Sequence, residues 1–202
     1  MFLPGSWPSY YKKARGIEVW DLDDRCYLDM SIMGIGTCSL GYANTAVNKA
    51  VIDSIHNGSM ATLNSYEEVQ LAEKLIDLHP GMEMARFART GGEANSIAVR
   101  IARTASEKNK IAVCGYHGWQ DWYLAANLAD SNNLRGLLLP GLEPNGVPRE
   151  LDGTTIPFHY GDIDSLERIA NDHGSELGAI MIEVQRDRTP DLQFLTRVQQ
   201  LA

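Results

Sequence analysis

Three short stretches of this 202-residue chain gather residue types that could do chemistry. The first is Arg89-Thr90-Gly91-Gly92, where paired glycines open a segment, Gly92 to about Ala105, that reads as a helix. Glycine inside a helix costs about 1 kcal/mol relative to alanine. In the first turn the cost falls, and backbone N–H groups stay uncovered at an end carrying roughly half a positive charge. Thr90, Gly91 and Gly92 are therefore candidates to cradle a phosphate, with the threonine hydroxyl as a further ligand. The same glycines would serve a tight turn packed on a sheet, and this stretch alone leaves both readings open.

The second stretch, Cys114 to Tyr123, holds four aromatics and one histidine within Tyr116–Tyr123, with glycines on either side of Tyr116-His117. Such a run suits a flat ligand, because aromatic faces stack with offset geometry. Trp122 and Tyr123 are expected in the core, and Tyr116 and His117 at a site. The third is Glu183, which closes the buried run Leu177–Ile182. A phosphate cradle, a ring platform and a carboxylate at a strand end suit a phosphorylated aromatic cofactor. Pyridoxal phosphate fits, and so does a nucleotide.

The elements that would position these residues alternate. Ile17–Trp20 and Cys26–Met30 read as a hairpin, followed by the glycine-rich Met33–Asn44. Asn44 caps an expected helix with an Ala46, Val47, Ala50, Val51 and Ile55 face, ended by Gly58. Ser65-Tyr66-Glu67-Glu68 reads as a capping box for the next helix, which stops at His79-Pro80-Gly81. Strands are expected at Met84–Arg89, Lys110–Tyr116, Thr155–Tyr160 and Leu177–Val184, and helices at Asp121–Ala129, Ile163–Asn171 and Pro190–Ala202. A long loop, Ser131–Gly153, lies between them. This βα rhythm implies an α/β fold, a mostly parallel sheet with flanking helices. Residues 1–45 are expected to form an N-terminal hairpin segment, part of a small domain, and 46–202 an incomplete large cofactor-binding domain. The sequence stops at Leu201-Ala202 in mid-helix and is expected to be truncated.

Composition narrows the function classes. With 44% hydrophobic residues and a net charge of −8, the chain is an ordinary acidic globular protein. No basic cluster suggests nucleic acid, no apolar stretch approaches a membrane span, and no secretory signal is visible at the start. Cys26, Cys38 and Cys114 lack metal spacing, as do the five histidines, so no metal site is expected. Three buried thiols in a reducing cytosol, and hence a cytoplasmic protein, are the expectation.

The motifs WPSYYKKARGIEVWDLDDRCYLDM, RFARTGGEANSIAVRIAR, CGYHGWQDWYLAANL and AIMIEVQRDRTPDLQFL, in this order, resemble the class III pyridoxal-phosphate aminotransferases, most closely those akin to glutamate-1-semialdehyde aminomutase. The resemblance covers nearly the whole chain and corresponds to the family's N-terminal half. It implies the fold type I large domain of pyridoxal-phosphate-dependent transferases. It also implies pyridoxal 5'-phosphate as cofactor, a small amine or carbonyl substrate, and a homodimer in the full-length protein. By resemblance, Thr90, Gly91 and Gly92 hold the cofactor phosphate, Tyr116 lies against the pyridine ring with His117 close by, and Glu183 supports the site. The loop Ser59–Asn64 becomes a candidate for contact with cofactor, substrate or partner subunit.

Departures from the family pattern matter as well. Gly92 stands where many relatives have serine or threonine, and Val184 follows Glu183 where proline is common. Relatives begin before this Met1. The family's aspartate to the pyridine nitrogen and its Schiff-base lysine lie beyond Ala202, and none of Lys12, Lys13, Lys49, Lys74, Lys108 and Lys110 matches that lysine. No catalytic residue is assigned, and the chain alone is expected not to transaminate. Three readings follow: a truncated aminotransferase or aminomutase; a non-catalytic cofactor- or phosphate-binding remnant or subunit that pairs with a complete relative; and a separate nucleotide-binding module, for which neither GxGxxG nor GxxxxGK[ST] is present.

Overall fold

The computed structural model describes residues 7–130, 143–185, 189 and 191–202. The expectations for the first six residues, for 131–142 of the long loop and for Pro190 lie outside the described residues. Two compact units, residues 1–81 and 82–202, divide the chain.

In the first unit, β1 (Tyr11–Arg15), β2 (Glu18–Asp21) and β3 (Cys26–Leu28) form an antiparallel sheet in that order. The β2–β3 hairpin is closed by the Asp21 carboxylate, which accepts from the N–H groups of Asp23 and Arg25 at 2.9 Å each. β1 was not foreseen, because Tyr11-Lys12-Lys13-Ala14-Arg15 lacks apolar alternation. It lies at the sheet edge, where charged side chains stay in solvent. Helix α1 (Thr45–His56) is capped as expected: Asn44 accepts from Ala46 N and Val47 N. Ser65 stands at the N-cap of α2 (Tyr66–Leu78) but makes no capping bond. Its hydroxyl donates instead to the Glu67 carboxylate, a charged acceptor one turn position nearer than the capping box requires. Neither helix contains a buried residue, and the expected apolar face of α1 leaves Val47, Val51 and Ile55 about half exposed.

The second unit is a three-layer α/β arrangement. It runs α3 (Gly91–Ser106), β4 (Lys110–Cys114), α4 (Asp121–Leu124), β5 (Thr155–Pro157), α5 (Ile163–His173), β6 (Leu177–Ile182) and α6 (Leu192–Leu201). The strands pair in parallel in the order β5-β4-β6, with Ala112 of the central strand opposite both Ile156 and Ile180. Successive side chains of a strand point to opposite faces. Ile111 and Val113 accordingly join Val99, Trp122, Tyr123 and Leu124 on one side. Ala112 and Cys114 join Phe158, Leu166, Ile169, Phe194 and Val198 on the other. A parallel strand covered on both faces must be apolar throughout, as Ile-Ala-Val-Cys is.

Several expectations need correction. Met84–Arg89 forms no strand among the described residues, because it pairs with none of β4, β5 or β6 and an extended segment becomes a strand only through a ladder partner. The Asp121–Ala129 helix shortens to α4 followed by a 3₁₀ turn, Ala125–Asn127. β4 ends at Cys114, since Gly115 takes φ +100° and turns the chain out of the sheet. The thiols are not uniformly buried: Cys26 is exposed, Cys38 half-buried and Cys114 buried. Cys26 sits on a small sheet that no helix of its unit covers, whereas Cys114 lies between two layers.

Candidate functional site

The site residues of the second unit collect at the carboxyl ends of β4 and β6 and at the start of α3, the end of a parallel sheet where ligands bind in open α/β folds. Thr90 is the N-cap of α3, with extended backbone (φ −134°, ψ 157°), and its Oγ1 accepts from Glu93 N at 3.2 Å. Glu93 returns to accept from Arg89 N at 2.9 Å. These two bonds fix the loop and leave the N–H groups of Gly91 and Gly92 without a partner among the described residues. A Cβ added to Gly91 would meet nothing within 4 Å, so the helix start is open there, whereas the Gln120 amide lies over Gly92. The Thr90 hydroxyl still has its proton to donate. An anion is what two free N–H groups, a hydroxyl and a helix N-terminus can hold.

The Tyr116–Gln120 loop lies against this cradle. A Cβ on Gly118 would come within 3.3 Å of the Gly92 Cα, so the glycines let the two loops touch. Asn95 Nδ2 donates to the His117 carbonyl at 3.1 Å, and Ser96 Oγ donates to the Gly92 carbonyl at 2.9 Å while accepting from Trp122 Nε1 at 3.1 Å. The loops are thus tied side chain to backbone, although Met84–Arg89 joins no ladder. Asn95 and Ser96 were not singled out from the sequence. Their only signal was two polar residues on a helix face turned toward the sheet.

Glu183 closes the other side. Its N–H donates to the Cys114 carbonyl at 2.9 Å, continuing the β4–β6 ladder, and its carboxylate accepts from Tyr116 N at 3.1 Å. Gly115 is obligatory beneath it, since a Cβ there would lie 2.4 Å from the Glu183 Cβ. Tyr116 is half-buried, with its ring edge-on to Tyr123 at 6.3 Å. Trp122 and Tyr123 are buried in the core as expected, and the Tyr123 hydroxyl donates to the Gly115 carbonyl at 2.7 Å.

His117 is only 6% exposed and is packed against Trp122 and Tyr123. Its Nε2 lies 2.9 Å from the Cys114 carbonyl, which can only accept, so Nε2 carries the proton and Nδ1 the lone pair. Burial lowers its pKa, against the smaller opposing effects of the Cys114 carbonyl, the Glu183 charge and the Met181 backbone. The ring is therefore neutral. Burial, with a lesser contribution from Glu183, raises the Cys114 thiol to about 11, so it is no nucleophile at neutral pH. The structure brings Gly92 and the 116–120 loop together, and Tyr116 and Glu183 together. Ser59–Asn64 lies in the other unit, with Met60 and Leu63 exposed.

The class-III aminotransferase family model matches residues 5–187. The chain belongs to the class-III aminotransferases. A 3-aminobutyryl-CoA aminotransferase of Cloacimonas acidaminovorans is 33% identical over 182 residues, covering 90% of this chain and 40% of that relative. A glutamate-1-semialdehyde 2,1-aminomutase of Aquifex aeolicus is 31% identical over 204 residues, covering 98% of this chain and 46% of the relative. A transaminase solved with PLP bound shares the fold, at a TM-score of 0.84 and 24% identity, over 98% of this chain and 46% of that one. The chain thus spans less than half the length of these class-III relatives. Its fold is the corresponding part of the fold type I PLP-dependent transferases, and the class-III family indicates pyridoxal phosphate as the cofactor. Among the described residues, no helix is long and apolar enough to cross a membrane, and no three His, Cys, Asp or Glu side chains are grouped to hold a metal.

Proposed function

We propose that this chain carries the phosphate-binding half of the cofactor site of a pyridoxal-phosphate-dependent aminotransferase or aminomutase. The longer protein acts on a small amine or carbonyl substrate as a cytosolic homodimer. The observation that carries the reading is the pair of N–H groups at Gly91 and Gly92, without partners among the described residues, at the start of a 16-residue helix. When bound, the cofactor supplies an electron sink at the substrate's amine-bearing carbon. This chain's residues bind and orient it. Gly91 N, Gly92 N and the Thr90 hydroxyl donate to the phosphate. Tyr116 lies against the ring, and Glu183 holds Tyr116 in place through its backbone N–H. Neutral His117 fixes the loop through the Cys114 carbonyl.

Neither lysine of residues 82–202 stands at the cradle, so whether the chain is part of a longer enzyme or a subunit that pairs with a complete relative, its own part there is to bind the cofactor. The two lysines of residues 82–202, Lys108 and Lys110, lie at the amino end of β4. Lys110 is committed to Glu176 at 2.9 Å. The five-residue strand places them about 16 Å of strand length away from Glu183 and Tyr116.

Gly91→Pro tests the cradle. Proline is tolerated at the first helical position, and the extended Thr90 backbone is what a residue before proline adopts. The substitution removes one N–H and leaves the helix in place. Weaker binding of pyridoxal phosphate with an unchanged unfolding midpoint is expected. Unchanged binding would place the phosphate elsewhere.

A further inference from the structure

The side chain of Gln120 makes one bond within its own loop, to Trp119 N, and fills the space above the first turn of α3. A Cβ on Gly92 would lie 2.1 Å from Gln120 Nε2 and 2.7 Å from its Cδ. A Cβ on Gly118 would lie 2.5 Å from Gln120 Oε1. Two glycines are therefore needed for one amide to lie where it does, between the loops. No side chain can stand at position 92 while Gln120 keeps this position.

The amide's orientation follows from its neighbours. Oε1 accepts from Trp119 N at 3.2 Å, and a carbonyl oxygen is the only end of the group that can do so. Nε2 is then the end nearer Gly92, 2.1 Å from its Cβ position against 2.6 Å for Oε1, with two N–H donors and no partner among the described residues. Gln120 is half-buried, so this donor is neither lost in bulk solvent nor paired within the protein. The one carboxylate on the first turn of α3, Glu93, is turned back onto Arg89 N. Nε2 lies over Gly92, whose N–H, like that of its neighbour Gly91, has no partner among the described residues. The helix end and the neighbouring loop thus both present donors beside Gly92, the amide's own oxygen being taken by Trp119 N, and a phosphate is an acceptor that matches them.

We propose that the Gln120 amide is a ligand of the cofactor phosphate, donating through Nε2 from the position that glycine at 92 leaves open. This rests on the reading of Thr90, Gly91 and Gly92 as the phosphate cradle. Gly92 and Gln120 then form one unit: the glycine's missing side chain makes room for the glutamine's donor.

The test is a pyridoxal phosphate titration of the purified chain, read by quenching of tryptophan fluorescence and by competition with inorganic phosphate, for the parent, Gln120→Glu, Gly92→Ala and the double variant Gly92→Ala/Gln120→Ala. Gln120→Glu keeps the shape and the acceptor for Trp119 N but sets a carboxylate against the phosphate. Its affinity for pyridoxal phosphate and for inorganic phosphate should fall about tenfold or more, with the ligand-free unfolding midpoint unchanged. Gly92→Ala evicts the amide and should weaken binding comparably. The double variant should bind no worse than Gly92→Ala alone, because both changes remove one interaction. Parent-like binding by Gln120→Glu, or fully additive losses in the double variant, would overturn the proposal and leave the cradle standing. Failure of the parent to bind in competition with phosphate would overturn the cradle itself, and this proposal with it.

Discussion

Replacing Gly115 by alanine combines two penalties that other glycines of the same unit separate. Gly115 has φ +100°, and a Cβ there would lie 2.4 Å from the Glu183 Cβ and 2.9 Å from its Oε2. Glu183 cannot retreat freely, because its N–H is bound to the Cys114 carbonyl and its carboxylate to Tyr116 N. An L-residue in left-handed backbone costs about 1–2 kcal/mol. Forcing an extra carbon into a filled space costs about 1–3 kcal/mol more. Gly115→Ala should therefore destabilise by about 2–5 kcal/mol. Gly153, at φ +72° with nothing within 4 Å of its Cβ position, isolates the backbone part. Alanine there should cost only about 1–2 kcal/mol. Gly91, with neither feature, should tolerate alanine with little change. Urea unfolding of the three variants, compared at equal slope, measures the series. Losses for Gly115→Ala and Gly153→Ala within about 0.5 kcal/mol of each other would refute the contact with Glu183.

Other consequences are as direct. Tyr123→Phe strands the Gly115 carbonyl and should cost about 1–3 kcal/mol in the same assay. Because burial lowers the His117 pKa below its ordinary 6.5, the unfolded chain takes up a proton more readily as pH falls. The stability contribution of neutral His117 is complete above about pH 6.5 and is lost as pH drops below it, and His117→Phe should flatten that part of the pH–stability curve. Cys26 should alkylate readily at pH 8 while Cys114, buried and with its pKa raised to about 11, stays unmodified until the chain unfolds, as mass spectrometry would show. Asn44→Ala removes the acceptor for Ala46 N and Val47 N and should lower stability by about 1 kcal/mol.

The sequence made the βα rhythm of the second unit legible because its signals are local. Gly174 marks the end of α5, and the unbroken apolar runs at β4 and β6 mark strands buried on both faces. What it could not show depends on partners. Met84–Arg89 has the composition of a strand without the ladder, and Tyr11–Arg15 has the ladder without the composition. Within the site, the glycine pair and Glu183 stood out by position. Gln120, Asn95 and Ser96 are ordinary polar residues whose meaning comes only from lying against Gly92, the His117 carbonyl and Trp122.

The central claim is that Thr90, Gly91 and Gly92 hold a cofactor by its phosphate. An absorbance titration of the purified chain with pyridoxal phosphate, repeated against inorganic phosphate and followed by borohydride reduction and intact mass, addresses it most directly. Saturable binding displaced by phosphate, with no lysine adduct after reduction, is the predicted result. Binding indifferent to phosphate, or an adduct at one of the chain's own lysines, would contradict it.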